Sequence, residues 1–232
     1  MSSLSLGVTR GMLLMLVLLS AAIPQANHPC VDSERPVVIQ SRMLAKEGFQ
    51  LGFSLVGFRR GDLATTKAMH ALRRAAGAGA NVVNIVPTWY QASWDAVVLE
   101  DELVGTGSSR EEVRLLARAA RGMRLQVALS PHVDSKDGTW RGDFRPGGRT
   151  GSAGDGMRWL LDYRTRLLAL AELAEEVDAR YFVIGTELAN LSLDPRYEAF
   201  WRSTIQDVRN VFSPAMEVVA RWYQAASQGR CL

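Results

Sequence analysis

An α/β fold with a parallel sheet is what three features of this sequence predict. Four short runs rich in β-branched and apolar residues recur along the chain. Each is followed by a stretch whose apolar residues fall three and four apart, as on one face of a helix. Polar and aromatic residues gather just beyond the C-terminal ends of the runs. Continuous apolar strands alternating with amphipathic helices imply a sheet covered by those helices.

The first run spans Phe49 to Gly57. Asp62 is expected to cap the helix behind it, with Ala64, Ala68, Ala71, Leu72 and Ala75 on the apolar face and Gly77 and Gly79 as stops. The second run, Asn81 to Pro87, leads into a loop of aromatic and polar residues. Ser109 and Glu112 then have the spacing of a capping box, and Val113, Leu116, Ala117 and Ala120 make one face of a helix ending at Gly122. The third run, Leu125 to Ser130, opens into a Gly-rich loop from Pro131 to Gly156, followed by a helix carrying Leu160, Tyr163, Leu167, Leu170, Ala171 and Ala174. The fourth, Tyr181 to Gly185, ends in Thr186 and Glu187, and a helix from about Arg196 to Phe212 carries Tyr197, Phe200, Trp201, Ile205 and Val208.

A doubly wound open sheet and a closed eight-stranded barrel both fit this alternation. The doubly wound fold often shows a Gly-rich phosphate turn after its first strand, whereas here the turn reads Val56-Gly-Phe-Arg-Arg-Gly61. Functional residues after every strand's C-terminal end are the habit of the (β/α)8 TIM barrel. Such a barrel needs roughly 250 residues, and the strand starts near 49, 81, 125 and 181 leave room for only the first four to five β/α units.

The N-terminus differs from the rest. Arg10, the apolar run Met12 to Leu19 and the small residues Ser20, Ala21 and Ala22 form a secretory signal pattern. Cleavage is expected after Ala22, with Ala26 as the alternative, and an uncleaved membrane anchor is the competing reading. The expected organisation is a signal peptide over 1–26, a polar lead-in over 27–47, a partial barrel over 48–213 and an atypical tail over 214–232. The mature domain is therefore expected to be secreted or periplasmic. Beyond Ser213 the sequence no longer reads as a strand–helix unit, which suggests a lost reading frame or a truncated gene. The bare edges of an unclosed sheet would invite self-association. Cys30 and Cys231 form no disulfide framework, although a bridge between them is sterically conceivable. Net charge is +3, with Arg scattered among acids, and no basic run with interleaved aromatics is present, so nucleic acid is not an expected partner.

The strand ends carry the candidate chemistry. After the second strand, Trp89 and Tyr90 offer flat apolar faces with polar edges, and Gln91 offers a donor and an acceptor. Sugar rings stack their C–H faces on such aromatics; rim packing is the plainer reading. After the third strand stand His132, Asp134, Trp140 and Arg141. His132 and Asp134 share one face if that strand continues past Pro131. They could be metal ligands, but the chain has only three histidines, and a barrel metal site gathers several ligands, so neither a metal nor another cofactor is expected. They could also simply order the loop. After the fourth strand stands Glu187, placed for the acid that protonates a leaving glycosidic oxygen. The alternative is a helix-capping or rim carboxylate paired with Arg.

These residues resemble those of glycoside hydrolase family 113, the β-mannanase-like TIM barrels. The resemblance rests on Gly79 to Gln91, on Pro131-His-Val-Asp134 with Asp137-Gly-Thr-Trp-Arg-Gly142, and on Ile184-Gly-Thr-Glu-Leu188. It implies a retaining glycosidase fold acting on an oligo- or polysaccharide such as β-mannan, with Glu187 as acid/base. Trp89, Tyr90, Gln91, His132, Asp134, Trp140 and Arg141 would then be sugar contacts. Two departures stand out. The wider clan has Asn before its acid/base where this chain has Thr186, and its nucleophile follows the seventh strand. Glu198 and Glu217 match no nucleophile motif. The chain is accordingly expected to be an incomplete or inactive hydrolase, with a non-catalytic carbohydrate-binding protein as the alternative and a metal-dependent barrel hydrolase as the more distant one.

Overall fold

The computed structural model describes residues 50–100 and 106–212. The expected signal peptide over 1–26 and lead-in over 27–47, the 214–232 tail with Glu217, and both cysteines lie outside the described residues. No helix among the described residues is long and apolar enough to cross a membrane.

Five strands form one parallel sheet: β1 (Gly52–Gly57), β2 (Val82–Gln91), β3 (Gln126–Leu129), β4 (His132–Ser135) and β5 (Tyr181–Phe182), in the order β1-β2-β3-β5 with β4 also against β2. Four longer helices cover it: α1 (Thr66–Gly77), α2 (Arg110–Gly122), α3 (Ala153–Glu176) and, after the single-turn α4 (Ala189–Ser192), α5 (Glu198–Val211). This is the alternation that the apolar runs predict. It is the arc of a (β/α) barrel.

The placement of the helices separates barrel from open sheet. Side chains alternate across a strand. The main core takes Phe53 and Leu55 from β1, Val83, Ile85 and Trp89 from β2, Val127 and Leu129 from β3, Val133 from β4 and Phe182 from β5. Every one lies on the same face, because the register pairs Leu55 with Ile85, Ile85 with Leu129, and Leu129 with Phe182. A doubly wound sheet would bury both faces under helices; here the core lies on one. The opposite face carries Ser54, Asn84 and Ser130, joined in a chain of hydrogen bonds from Asn84 Nδ2 to Ser54 Oγ (3.2 Å) and from Ser130 Oγ to Asn84 Oδ1 (2.8 Å).

Strand lengths depart from the expectation in two ways: the strand expected over Tyr181 to Gly185 ends at Phe182, and the second and third run on further. The second strand does not stop at Pro87 but runs to Gln91. The third resumes beyond Pro131 as β4, in unchanged register: Val82 lies beside Gln126, and Thr88 beside His132. Pro131 has no N–H for the ladder, so β3 and β4 are one strand with a single missing rung. The long loop that the Gly-rich composition suggested therefore begins after Ser135.

Helix ends follow local chemistry. Thr65, not Asp62, caps α1, accepting from Ala68 N at 3.1 Å. Asp62 instead begins a 3-10 turn and accepts from the amides of Phe58 and Arg59. The Ser109–Glu112 capping box forms as its spacing requires, and a second box, Ser152 with Asp155, starts α3. That helix buries Trp159, Tyr163, Leu160 and Leu167 completely, each contributing about 1.5–3 kcal/mol by burial. Trp159 and Tyr163 stack at 5.2 Å between centroids.

The segment returning to α2 is tied to two strand ends. Ser108 N donates to Thr88 O (3.1 Å), and Ser108 Oγ to Gly57 O (2.9 Å). Gly107 passes so close that an added Cβ would lie 2.3 Å from the Thr88 carbonyl oxygen. Backbone cannot yield as a flexible side chain can. Gly107→Ala is expected to lower stability by about 1–3 kcal/mol, read as a drop in Tm, whereas Gly122→Ala, where a Cβ meets nothing within 4 Å, is expected to leave Tm unchanged or raised.

Candidate active site

The site is assembled by the extension of β2 and β4. Their pairing sets Tyr90 beside Asp134 and Thr88 beside His132, with Trp89 and Gln91 between them on the other face. Alternation then divides the eight expected residues. Tyr90, His132 and Asp134 project to the inner face, and Trp140, Arg141 and Glu187 join them from the loops. Trp89 and Gln91 do not.

Trp89 is only 5% exposed and packs edge-on against Tyr163, 5.7 Å between centroids. Gln91 is fully buried; it accepts from Trp159 Nε1 at 2.7 Å and donates to Ser93 O at 2.7 Å. Both side chains are used up holding α3 to the sheet. The expectation that they contact sugar is corrected here: it assumed a loop after Pro87, where either residue could turn to the mouth, but a strand's period of two turns both to the helices.

Glu187 lies beyond the fourth apolar run, but the strand there ends at Phe182 rather than at the expected Gly185, so four residues separate them. Tyr163 Oη donates to Ile184 O at 2.9 Å, holding the strand end, and buried Leu188 fixes the other side. Between them Glu187 takes a left-handed conformation, φ 56°. That costs a non-glycine residue about 1 kcal/mol, and such strain gathers at functional sites. The carboxylate accepts from Arg141 Nη1 at 2.6 Å and from Trp140 Nε1 at 3.2 Å. Arg141 also donates through Nε to Val133 O (3.0 Å) and pairs through Nη2 with Asp134. One guanidinium thus bridges the ends of two strands, and the carboxylate-paired-with-Arg reading of Glu187 is literally satisfied.

Charge follows geometry. Burial pushes the Glu187 carboxyl upward, but the Trp140 hydrogen bond and the Arg141 charge outweigh it, and the group is held below its ordinary value. A general acid wants the opposite. Burial, with Arg141 adding to it, lowers His132 to about 4 against the pull of Asp134 and Glu187. Burial and Asp134 raise Tyr90, whose hydroxyl donates to Phe58 O at 2.6 Å. Trp140 is 54% exposed, with its ring laid over Gly142; it offers the open aromatic face that Trp89 does not.

Two features escape a reading by motif. Asp137, in the Asp137-Gly-Thr-Trp-Arg-Gly142 stretch, takes no part in the polar cluster at the mouth. It orders the loop, accepting from Ser135 Oγ (2.6 Å) and from the amides of Thr139 and Trp94 (2.9 Å each), bonds that hold it well below the carboxylate range. The Ser54–Asn84–Ser130 chain lies deeper on the inner face. Its signal was Asn84 itself, a polar residue inside an apolar run and in phase with Thr88 and Tyr90. Among the described residues no group of three or more His, Cys, Asp or Glu is placed to hold a metal ion.

Parallel strands with helices on one face, and a carboxylate beside an aromatic and an arginine at the strand ends, define a (β/α)-barrel of glycosidase type. The chain belongs to glycoside hydrolase family 113, whose model matches residues 51–228. The match runs past Ser213, where the residues alone had suggested that the resemblance ends. Among solved structures the chain is similar to the β-mannanase AaManA of that family from Alicyclobacillus acidocaldarius, determined in complex with ManMIm. Identity is 25% and the TM-score 0.63, over 71% of this chain and 52% of that one. It is also similar to two structures of family 113 β-1,4-mannanases, at 24% and 23% identity with TM-scores of 0.62 and 0.60, each over 72% of this chain and 54% of that one. The chain spans about half the length of these mannanases. No curated protein matches it in sequence.

Two tests follow from the geometry. Gln91→Leu removes the acceptor of the buried Trp159 N–H and is expected to cost about 1–3 kcal/mol, read as a drop in Tm. His132 titrates near 6.5 when unfolded and near 4 when folded. Between those values the unfolded chain binds the extra proton, so stability is full above pH 6.5 and declines as pH falls towards 4, by at most about 1.4 kcal/mol per pH unit. His132→Gln is expected to flatten that part of a curve of unfolding free energy against pH; an unchanged slope would assign it to other groups.

Proposed function

We propose that the chain is a glycoside hydrolase domain acting on β-mannan or a related β-linked glycan by a retaining mechanism, with Glu187 as acid/base. The observation that carries this reading is Glu187 itself, held at a barrel strand end beside exposed Trp140 within the family match. In the first step the protonated Glu187 gives its proton to the glycosidic oxygen. The bond to the anomeric carbon breaks, its electron pair goes to that oxygen, and a second carboxylate adds to the carbon. In the second step the Glu187 carboxylate takes a proton from water as the water oxygen displaces that carboxylate. The pair must stand about 5–5.5 Å apart, and no described residue is assigned as the second member. Trp140 suits stacking on a sugar ring, with Tyr90, His132 and Asp134 near it on the two paired strands. The signal pattern over 1–26 supports a secreted or periplasmic location, which suits a polymeric substrate; N-terminal sequencing of exported protein checks it.

A non-catalytic carbohydrate-binding role is the second reading, favoured by the ionised Glu187–Arg141 pair. The test is hydrolysis of β-1,4-manno-oligosaccharides by the full chain and by Glu187→Gln. Removing a general acid/base should lower kcat about 10²–10⁴-fold with KM little changed. Binding of the sugars without turnover in either protein would instead support the second reading.

A further inference from the structure

We propose that Arg141 is a positioning residue that acts through Glu187, holding its carboxyl at the mouth from a mount built on β4, and is not itself a sugar ligand. This deepens the reading of Glu187 as acid/base and rests on it only for the catalytic consequence.

The geometry leaves the guanidinium little to offer a substrate. Nε is taken by Val133 O, Nη2 by Asp134 and Nη1 by Glu187. The Arg141 side chain is 13% exposed, whereas that of Glu187 is 48% exposed. The buried member is the fixed one. Val133 is itself a buried residue of β4, and the short 3-10 turn Arg141–Asp143 returns the chain over that strand. A planar fork held at two points presents its remaining edge in one direction, and that direction is Glu187. The mount matters because Glu187 follows a strand whose ladder is only two residues long, Tyr181–Phe182, and adopts a left-handed backbone. Its main chain alone aims it poorly.

The second consequence is electrostatic. The groups facing Glu187 are Arg141 and Trp140 from the loop after β4, with His132 and Asp134 from β4 itself. His132 is lowered to about 4 and is neutral at ordinary pH, so Arg141 is the dominant positive charge. A cation beside the carboxylate makes Glu187 a stronger acid once protonated, and shifts the range over which it is protonated towards lower pH. Aim and proton-donating strength are thereby set by one residue that touches no substrate.

The indole N–H of Trp140 reports on the carboxylate, since it donates to the same Oε2. Its ¹H–¹⁵N resonance, assigned by its disappearance in Trp140→Phe, can be followed against pH in the full chain. Arg141→Met is expected to move the titration midpoint up by about one unit, and Arg141→Lys, which keeps charge but not the fork, by less. In manno-oligosaccharide hydrolysis the basic limb of kcat/KM should move up with it, with kcat reduced more than KM is raised. An unmoved midpoint in both variants overturns the proposal, whether or not the chain hydrolyses mannan; so does a rise in KM alone, which would make Arg141 a sugar ligand. A shifted midpoint in a chain without turnover supports the proposal and counts against the hydrolase reading instead. Should Arg141→Met fail to fold, Arg141→Gln, which keeps polar donors but not the charge, decides the question by the same midpoint.

Discussion

The parallel register of β2 against its neighbours is the constraint on which the rest of the molecule depends. β2 pairs with β1 on one side and with β3 and then β4 on the other, without a slip. A shift of one residue would exchange the two faces of the strand. Trp89 and Gln91 would then face the mouth, and Tyr90 would be driven into the helices. The core and the site are set by the same parity, which is why a position can belong to one of them and not to both.

The division of labour along that strand has an energetic basis. The helix-facing positions meet Trp159 and Tyr163 of α3, where polar atoms must be paired because no water reaches them. Gln91 is tolerated there because both ends of its amide are bonded. The inner positions meet each other across the concave face, where Ser54, Asn84 and Ser130 satisfy one another in a row. At the strand ends the pattern changes from mutual satisfaction to convergence: Asp134, Arg141, Trp140 and Glu187 direct their polar atoms at a shared point. Convergence of this kind leaves a carboxylate with an exposed edge, and an exposed edge is what a ligand can use.

The lowered titration of Glu187 bears on the acid/base role proposed for it. A carboxyl beside a fixed guanidinium is ionised at rest. It becomes a proton donor when another negative charge approaches or the Arg141 bond is loosened. In a retaining glycosidase the second carboxylate provides that charge in the free enzyme, and its neutralisation on forming the covalent intermediate lets the same group turn from acid to base. In the proposed cycle, the Arg141 mount would suit the base half, in which Glu187 acts as a carboxylate.

Much of this molecule was legible in the residues. The four apolar runs became strands, the Ser109–Glu112 spacing became a capping box, and Glu187 stood at a strand end, because each depends on neighbours close in sequence. Strand limits were not legible. Nothing local distinguishes Trp89-Tyr-Gln91 in a loop from the same residues in a strand, and Pro131 reads as a stop although the ladder loses only one rung there. Cross-strand pairing decides both, and it is supplied by residues some 40 positions away. Sequence by itself determined the fold class, the family and the acidic residue at the mouth. Only the tertiary structure decided that Trp89 and Gln91 belong to the core, that Asp137 orders the loop, and that Arg141 joins Asp134 to Glu187, since each of these rests on which face a side chain is given when distant strands align.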